Sequence, residues 1–293
     1  MNIVPADLLH ALTFILVAGV FFIAVMAGEA WYWHRKGRID AYELKDTLSN
    51  MTMGFSYKVV DGIITALVGT AFFGLLQPLG LRLHVPTGPL GWIVAFVVTD
   101  FFYYLAHFCW HKVRWFWTGH AVHHSSQRMN YSTALRQNYL LVLNGGSLLI
   151  GSALALIGFD KTLVIVIVEI NLFYQFFLHT EAPSFLDRLG WILNTPSHHR
   201  VHHGSNPLQI DTNFAGALII WDRLFGTFRH ERDVGPIVYG VTERQPVSFN
   251  PFYLQWHEFG TMLRDAWRHK DPRVLVRHPG WVENTYGRAA KQR

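Results

Sequence analysis

Five apolar runs, at residues 8–27, 59–76, 92–110, 139–157 and 163–178, constrain this chain more than any other feature. A helix needs about 20 apolar residues to cross a bilayer core. In lipid, every backbone N–H and C=O must be paired within the segment, so such runs take the form of helices. The first run ends in Trp31, Tyr32 and Trp33, followed by Arg35, Lys36 and Arg38. Aromatic residues and then cations mark an interface and its cytosolic flank. Only 15% of the residues are charged, against about a quarter in a soluble domain.

The connecting segments complete the outline. Residues 40–58 read as a polar interfacial stretch, and 77–91, rich in Pro and Gly, as a loop or re-entrant turn. The short turn at 158–160 joins the last two runs into a helical hairpin, the fourth run being lightly broken by Gly145, Gly146 and Gly151. Residues 216–228 (GALIIWDRLFGTF) read as an amphipathic piece lying at the interface. If the first run exits to the cytosol, Lys and Arg number five in 28–58, four in 112–138 and fourteen from 179 onward. Only Arg82 and Lys161 fall on the other side, and the short loops follow the positive-inside rule.

The net charge of +5 comes without a helix-turn-helix, zinc-finger or RNA-binding signature, so the basic excess suits anionic lipid headgroups and no nucleic-acid partner is expected. The single cysteine, Cys109, excludes a disulfide framework, a four-thiolate cluster and a c-type haem within the chain. No Lys or Arg precedes the first run, so no cleaved signal peptide is expected.

Histidines gather at the ends of the third and fifth runs: His107 and His111 (HFCWH), then His120, His123 and His124 (HAVHH), then His179. A fourth group, His198, His199, His202 and His203, lies in NTPSHHRVHHG. Spacings of three and four put side chains on one face of a helix, so each HxxHH group is expected to aim two or three imidazoles at one point. The charge pattern sets all these groups on the cytosolic side. Packed together and protonated, the rings would repel one another; buried and neutral, they would leave many nitrogens unpaired. A metal centre removes both problems. Imidazole suits zinc, copper, iron and nickel. A structural zinc usually takes four ligands and a catalytic one about three, so this many candidates point to two ions. Spacing alone leaves zinc and iron both open. There is no HExxH, and no Glu stands as a general base within a cluster, which disfavours a non-redox zinc membrane hydrolase.

HxxxH, HxxHH and HxxHH on a short membrane scaffold resemble the fatty acid hydroxylase/sterol desaturase superfamily. Three longer stretches resemble its alkylglycerol monooxygenase branch: HHSSQRMNYSTALRQ from His123, FLHTE from Phe177, and 194–228. The resemblance implies a membrane di-iron enzyme that uses O2 to hydroxylate or desaturate a lipid. Carried over by position, it makes His107, His111, His120, His123, His124, His179, His199, His202 and His203 the ligands. His198 is a tenth candidate, favoured as an outer or substrate-side position. Outer partners should hold the imidazoles by their other nitrogen, and Asp100, Glu169, Asp211, Asn213 and Asp222 are the candidates. Asp100 and Glu169 lie within apolar runs, where an acid is expensive; Asp222 could equally pair with Arg223 or cap a turn. Two positions depart from the family pattern: Gln175, where a His is frequent, and Lys112, where the branch tends to carry Glu.

The expected fold is an all-α integral membrane protein with four to five transmembrane or re-entrant helices and a cytosolic helical cap carrying a histidine-rich di-metal site. Three parts are expected: N-terminal membrane helices and interfacial segment (1–91), a fatty acid hydroxylase/sterol desaturase-type catalytic domain (92–250) and a polar C-terminal tail (251–293). The resemblance implies two Fe ions, O2 as co-substrate and a membrane lipid substrate. The chain has no flavin, haem or GxGxxG motif, so electrons must come from tetrahydrobiopterin or an external electron-transfer protein. A bacterial inner membrane or the endoplasmic reticulum fits such a chain, with the site on the cytoplasmic side. Sterol desaturation and carotenoid or fatty acyl hydroxylation are the rival activities within the superfamily.

Overall fold

A computed structural model describes residues 6–81 and 88–287, with side chains from residue 17 onward; Arg82 lies outside the described residues. The first run sits in α1 (Ala6–Arg35), thirty residues long and so about 45 Å at 1.5 Å per residue. Then come α2 (Leu44–Ile64), a π-helical turn (Thr65–Gly69) and α3 (Thr70–Leu76). The centre of the molecule is α4 (Gly88–Lys112), followed at once by α5 (Arg114–His124). Next are α6 (Leu140–Leu143), α7 (Leu148–Ile157) and α8 (Lys161–Phe176). The last third holds α9 (Pro196–His202), α10 (Ile220–Phe225), α11 (Pro251–His269) and α12 (Pro279–Val282). Among the described residues there is no strand, only two isolated bridges, Leu193–Leu218 and Gly204–Tyr239.

Ile39–Leu79 and Gly88–Lys112 are each long and apolar enough to cross a membrane. A third candidate is the pair Tyr131–Leu143 and Leu148–Ile157, bent by 69°. The break is sharper than the glycines alone predict. Gly145 takes φ +84°, a conformation open to residues without a Cβ. The backbone groups freed there are taken by side chains: Trp110 Nε1 donates to the Gly146 carbonyl (3.2 Å) and Trp115 Nε1 to that of Asn144 (3.0 Å). Such rescue is what non-helical backbone at membrane depth requires. The hairpin turn then forms as expected, with Gly158 left-handed (φ +112°) at the end of α7 and Asp160 accepting from the Leu163 N–H at the start of α8.

Two segments differ from their reading in the sequence. Residues 40–58 are mostly the first half of α2 rather than an interfacial stretch, because their polar residues point inward. Asp46 and Asn50 are buried and receive Arg136 Nη1 at 3.0 and 2.9 Å. Residues 216–228 do not lie along the interface as one amphipathic helix. Ala217, Leu218 and Ile219 are buried, and only Ile220–Phe225 is helical. Asp100 draws this strap inward by accepting from the N–H groups of Ala217 (2.7 Å) and Leu218 (3.0 Å).

The apolar core lies where α3, α4, α7 and α8 meet, around Phe73, Tyr103, Trp110, Leu154, Phe159 and Ile167. The polar C-terminal segment contains α11, which packs on α5. Arg114, fully buried at the start of α5, donates to Glu258 (3.0 Å) and Asp265 (2.8 Å) of α11. A buried arginine needs such partners to be tolerated. The close approach of α5 to α6 depends on Gly119, where a Cβ would stand 2.6 Å from the Leu141 nitrogen. Gly119→Ala is therefore expected to lower stability by about 1–3 kcal/mol through overpacking against backbone, read as a fall in melting temperature of the detergent-solubilised protein.

Candidate metal centre

The sequence places imidazoles at helix ends; the fold brings nine of them into two adjoining groups. One holds His107, His111, His120, His124 and His202, the other His123, His179, His199 and His203, and all are buried. Within each group the ligand atoms lie within 4.8 Å of one another. The two HxxHH motifs divide between the groups instead of converging on one point. In α5, His120 and His124 enter the first group and His123 the second; in α9, His199 and His203 enter the second and His202 the first. The cause is helical geometry. At about 100° per residue, positions i and i+4 lie about 40° apart, whereas i+3 falls about 60° to the other side of i. The rings meet across the divide, with His124 stacked on His203 at 4.4 Å between centroids.

The Nε2 atoms face inward. His107 and His120 approach Nε2 to Nε2 at 2.9 Å, and His124 and His120 at 3.2 Å. In the second group His199 lies 3.0 Å from His179, His203 3.2 Å from His199, and His179 3.2 Å from His123, again Nε2 to Nε2. The other nitrogen of several rings is already engaged. Nδ1–H donates to the Phe214 carbonyl from His107 (2.7 Å), to Thr212 from His202 (2.9 Å), to Gln175 from His179 (2.9 Å) and to Arg136 from His123 (3.3 Å). That fixes the tautomer of these four rings with a lone pair on Nε2, so the His123–His179 contact sets lone pair against lone pair. A cation between them turns repulsion into ligation. With metal–nitrogen bonds of about 2.1 Å, two ligand nitrogens at a right angle stand about 3.0 Å apart, which the observed spacings match. The donor set fits a metal, and these nine residues could hold it.

Electrostatics agree. Burial first, and then the neighbouring imidazoles, push His120, His123, His124, His199, His202 and His203 well below the ordinary imidazole value. Burial alone takes His179 to about 4. The rings are therefore neutral near pH 7, as ligation requires.

The outer partners are mainly backbone carbonyls. Residues 211–214 serve three rings of the first group. Asp211 (φ +60°) and Asn213 (φ +54°) are left-handed, so this turn can aim consecutive groups at His111, His202 and His107. The Asp211 carboxylate lies 3.6 Å from His111 Nδ1 and pairs with Lys112. Burial opposes its ionisation, but those two contacts hold its carboxyl well below the usual carboxylate range. Lys112, the departure from the branch pattern, thus clamps an outer partner of the site. Asn213 reaches no imidazole; it donates to the carbonyls of His198 (3.0 Å) and Arg229 (2.9 Å). Asp222 accepts from the Phe214 and Ala215 N–H groups, both at 2.8 Å. Asp100 accepts from Ala217, Leu218, Asn171 and Trp221. Both acids act one step back, by fixing the strap whose Phe214 carbonyl receives His107. Burial raises Asp222 to about 6 against these bonds.

Two further candidates stand apart from the groups. Glu169 faces outward and pairs with Lys58 at 2.8 Å, each side chain about half exposed. His198 lies outside both groups, against Phe228 and His230. Gln175 contributes twice: its carbonyl receives His179, and its side chain donates to Asn171 (2.6 Å), which donates in turn to Asp100. Arg136 went unmarked in the sequence. Its carbonyl receives His123, and its guanidinium is held by Asp46 and Asn50 of α2, so a helix outside the histidine motifs secures one of their rings.

Three outcomes follow. His199→Ala is expected to lose about half the bound metal, measured by plasma mass spectrometry, because His199 serves only the second group. Glu169→Gln should keep the full complement, since its carboxylate lies on Lys58. Acid should release metal as well. The unfolded chain protonates imidazole near 6.5, while burial holds His179 neutral down to about 4 and keeps the other rings neutral well below their ordinary value. Unfolding then takes up protons between these values. Stability is full above pH 6.5 and falls as pH drops towards 4, seen as falling melting temperature and metal content together.

A sequence model of the family described as Fatty acid hydroxylase matches residues 92–227. The chain is 37% identical over 267 residues to human alkylglycerol monooxygenase, covering 89% of this chain and 58% of that protein. It is 49% identical over 197 residues to the Danio rerio alkylglycerol monooxygenase (65% and 42% covered). With the ornithine lipid hydroxylase OlsE of Rhizobium tropici it shares 28% over 197 residues (64% and 59%). The chain spans about half the length of the curated relatives it matches. No solved structure matches it significantly. The apolar helices together with these relatives mark an integral membrane protein. Residues 92–227 are a fatty acid hydroxylase domain, and the chain that carries them belongs with the relatives of the alkylglycerol monooxygenases.

Proposed function

We propose that this chain is a membrane-bound di-iron oxygenase that hydroxylates a lipid C–H bond with O2 and external electrons, in the manner of an alkylglycerol monooxygenase. The observation that carries the reading is the division of nine inward-facing imidazoles into groups of five and four. Five nitrogens around one point exceed the usual four of a structural zinc and suit iron. When bound, the iron pair supplies the O2 chemistry that protein acids and bases cannot perform on an unactivated C–H bond.

The residues of the chain do the rest. Nδ1–H bonds from His107, His123, His179 and His202 to carbonyls keep each Nε2 free to ligate. Asp211, fixed by Lys112, steadies His111 from outside. The aromatic wall of Trp110, Trp117 and Phe214 against these rings keeps water from the first group. The apolar runs give four to five transmembrane or re-entrant helices, and the charge asymmetry favours a site on the cytoplasmic side, within reach of a diffusible pterin or a reductase. A bacterial inner membrane suits the similarity to the Rhizobium lipid hydroxylase; the vertebrate relatives leave the endoplasmic reticulum as the other location. Acyl-chain hydroxylation, a rival activity within the superfamily, is the second reading; the similarity to an ornithine lipid hydroxylase supports a lipid substrate other than an alkylglycerol.

Purified protein should contain two irons per chain and consume O2 when given an alkylglycerol and reduced tetrahydrobiopterin, yielding a hydroxylated or ether-cleaved product. His120→Ala should abolish product formation. Zinc without iron, and no O2 uptake with any lipid tested, would overturn the proposal. Product from an acyl lipid but not from an alkylglycerol would select the second reading.

A further inference from the structure

His198 is the one histidine of its motif that the two groups leave out, and it is only 3% exposed. Its Nδ1 has no hydrogen-bond partner. Two more buried nitrogens without partners belong to its neighbours, His230 Nδ1 and Arg223 Nε. The three side chains pack around a single ring, Phe228. His198 lies 5.2 Å and His230 6.1 Å from it between centroids, and the Arg223 guanidinium carbon sits 3.8 Å from its centre. His198 and His230 are 5.9 Å apart. The nearby carboxylate, Glu231, is already gripped by both arms of Arg200, at 2.8 and 2.7 Å. One Arg223 arm donates to the Gly190 carbonyl at 2.9 Å, and Nε is left over. Buried polar groups ordinarily find partners; the Arg223 N–H needs an acceptor, and each orphan imidazole nitrogen donates to the same acceptor when it carries the ring proton. Two imidazoles and a planar guanidinium suit an anion with several oxygens, and phosphate above all.

The surroundings show where the phosphate comes from. Trp191 lies over Arg223 at 4.8 Å and is itself 77% exposed, so rotation of one side chain opens the cluster. Ile192 beside it, and Leu224 and Phe225 across Arg223, are exposed apolar residues. Phe225 stacks on Tyr104 (5.4 Å) and Phe101 (6.2 Å) of α4, making this patch continuous with the outer face of a membrane-crossing helix. Those contacts fall about midway along α4, so the cluster opens beside the lipid-facing flank of the helix, where an arginine can reach an anionic headgroup.

We propose that Arg223, His198 and His230 form a phosphate site that holds the headgroup of a membrane phospholipid beside the metal centre. The site does not depend on the oxygenase reading. Full-length protein in a non-phosphate detergent is titrated calorimetrically with short-chain phosphatidate, the matching diacylglycerol and inorganic phosphate. Phosphatidate should bind at least tenfold more tightly than either of the others. Arg223→Gln should remove that preference without changing metal content, which also shows that the variant has folded. His230→Gln serves as an independent second variant and should weaken the preference. Equal affinity for the diacylglycerol, or a preference that survives in both variants, would overturn the site. Inorganic phosphate binding as tightly as phosphatidate would overturn its assignment to a lipid.

Discussion

Everything near the centre of this protein answers to one electrostatic problem: lone pairs of neutral imidazoles held about 3 Å apart. His123 and His179, each with its Nδ1–H held by a carbonyl, set bare Nε2 lone pairs 3.2 Å apart, a contact that a cation between them relieves. The remedy at the other end of each ring is fixed in advance by the backbone. Carbonyls of Phe214, Thr212, Gln175 and Arg136 hold Nδ1–H donors, so the fold commits each of these rings to a tautomer before any metal arrives. The elements that present those carbonyls then become indispensable. The strap near Phe214 needs Asp100 and Asp222 beneath it, and Arg136 needs Asp46 and Asn50 beside it.

Such dependence explains why acids stand in an otherwise apolar chain. Asp100 lies within α4 at no exposure, yet it accepts four hydrogen bonds. A carboxylate that satisfies so many donors costs far less in a low-dielectric setting than an isolated one. The same holds for Arg114 between Glu258 and Asp265, which binds the C-terminal helix to the base of α5. Charges at depth are here the fasteners between helices rather than reactive groups.

Much of the site was legible in the sequence. Side-chain identity and spacing point to eight of the nine rings, because His107–His111 and the two HxxHH motifs have helical intervals; His179, alone in its segment, enters the set through the resemblance. What spacing could not reveal is which ring goes to which group, since that depends on how α5 and α9 are turned towards each other. Backbone carbonyls carry no sequence signature, so the partners of His107 and His202 were invisible. The sequence offers acids in their place. Asp211 does reach an imidazole, Asp100 and Asp222 act through backbone, and Glu169 faces Lys58 on the outside. An acid within an apolar run marks burial or pairing; it does not say with whom. Residues 40–58 misled for a related reason, as polar side chains that satisfy a buried arginine look the same as those that meet water.

The crossing of His123 and His202 into the group opposite their motif partners has a mechanical consequence. Each of α5 and α9 grips both groups, so the distance between the two centres is set by the helical repeat rather than by loops. Loops breathe; a single turn of helix hardly does. One residue inserted into either motif would rotate the following rings by about 100° and send them to the wrong side, turning a pair of adjoining centres into a scrambled one. The gauge of the pair is written in the three-and-one spacing of the histidines themselves.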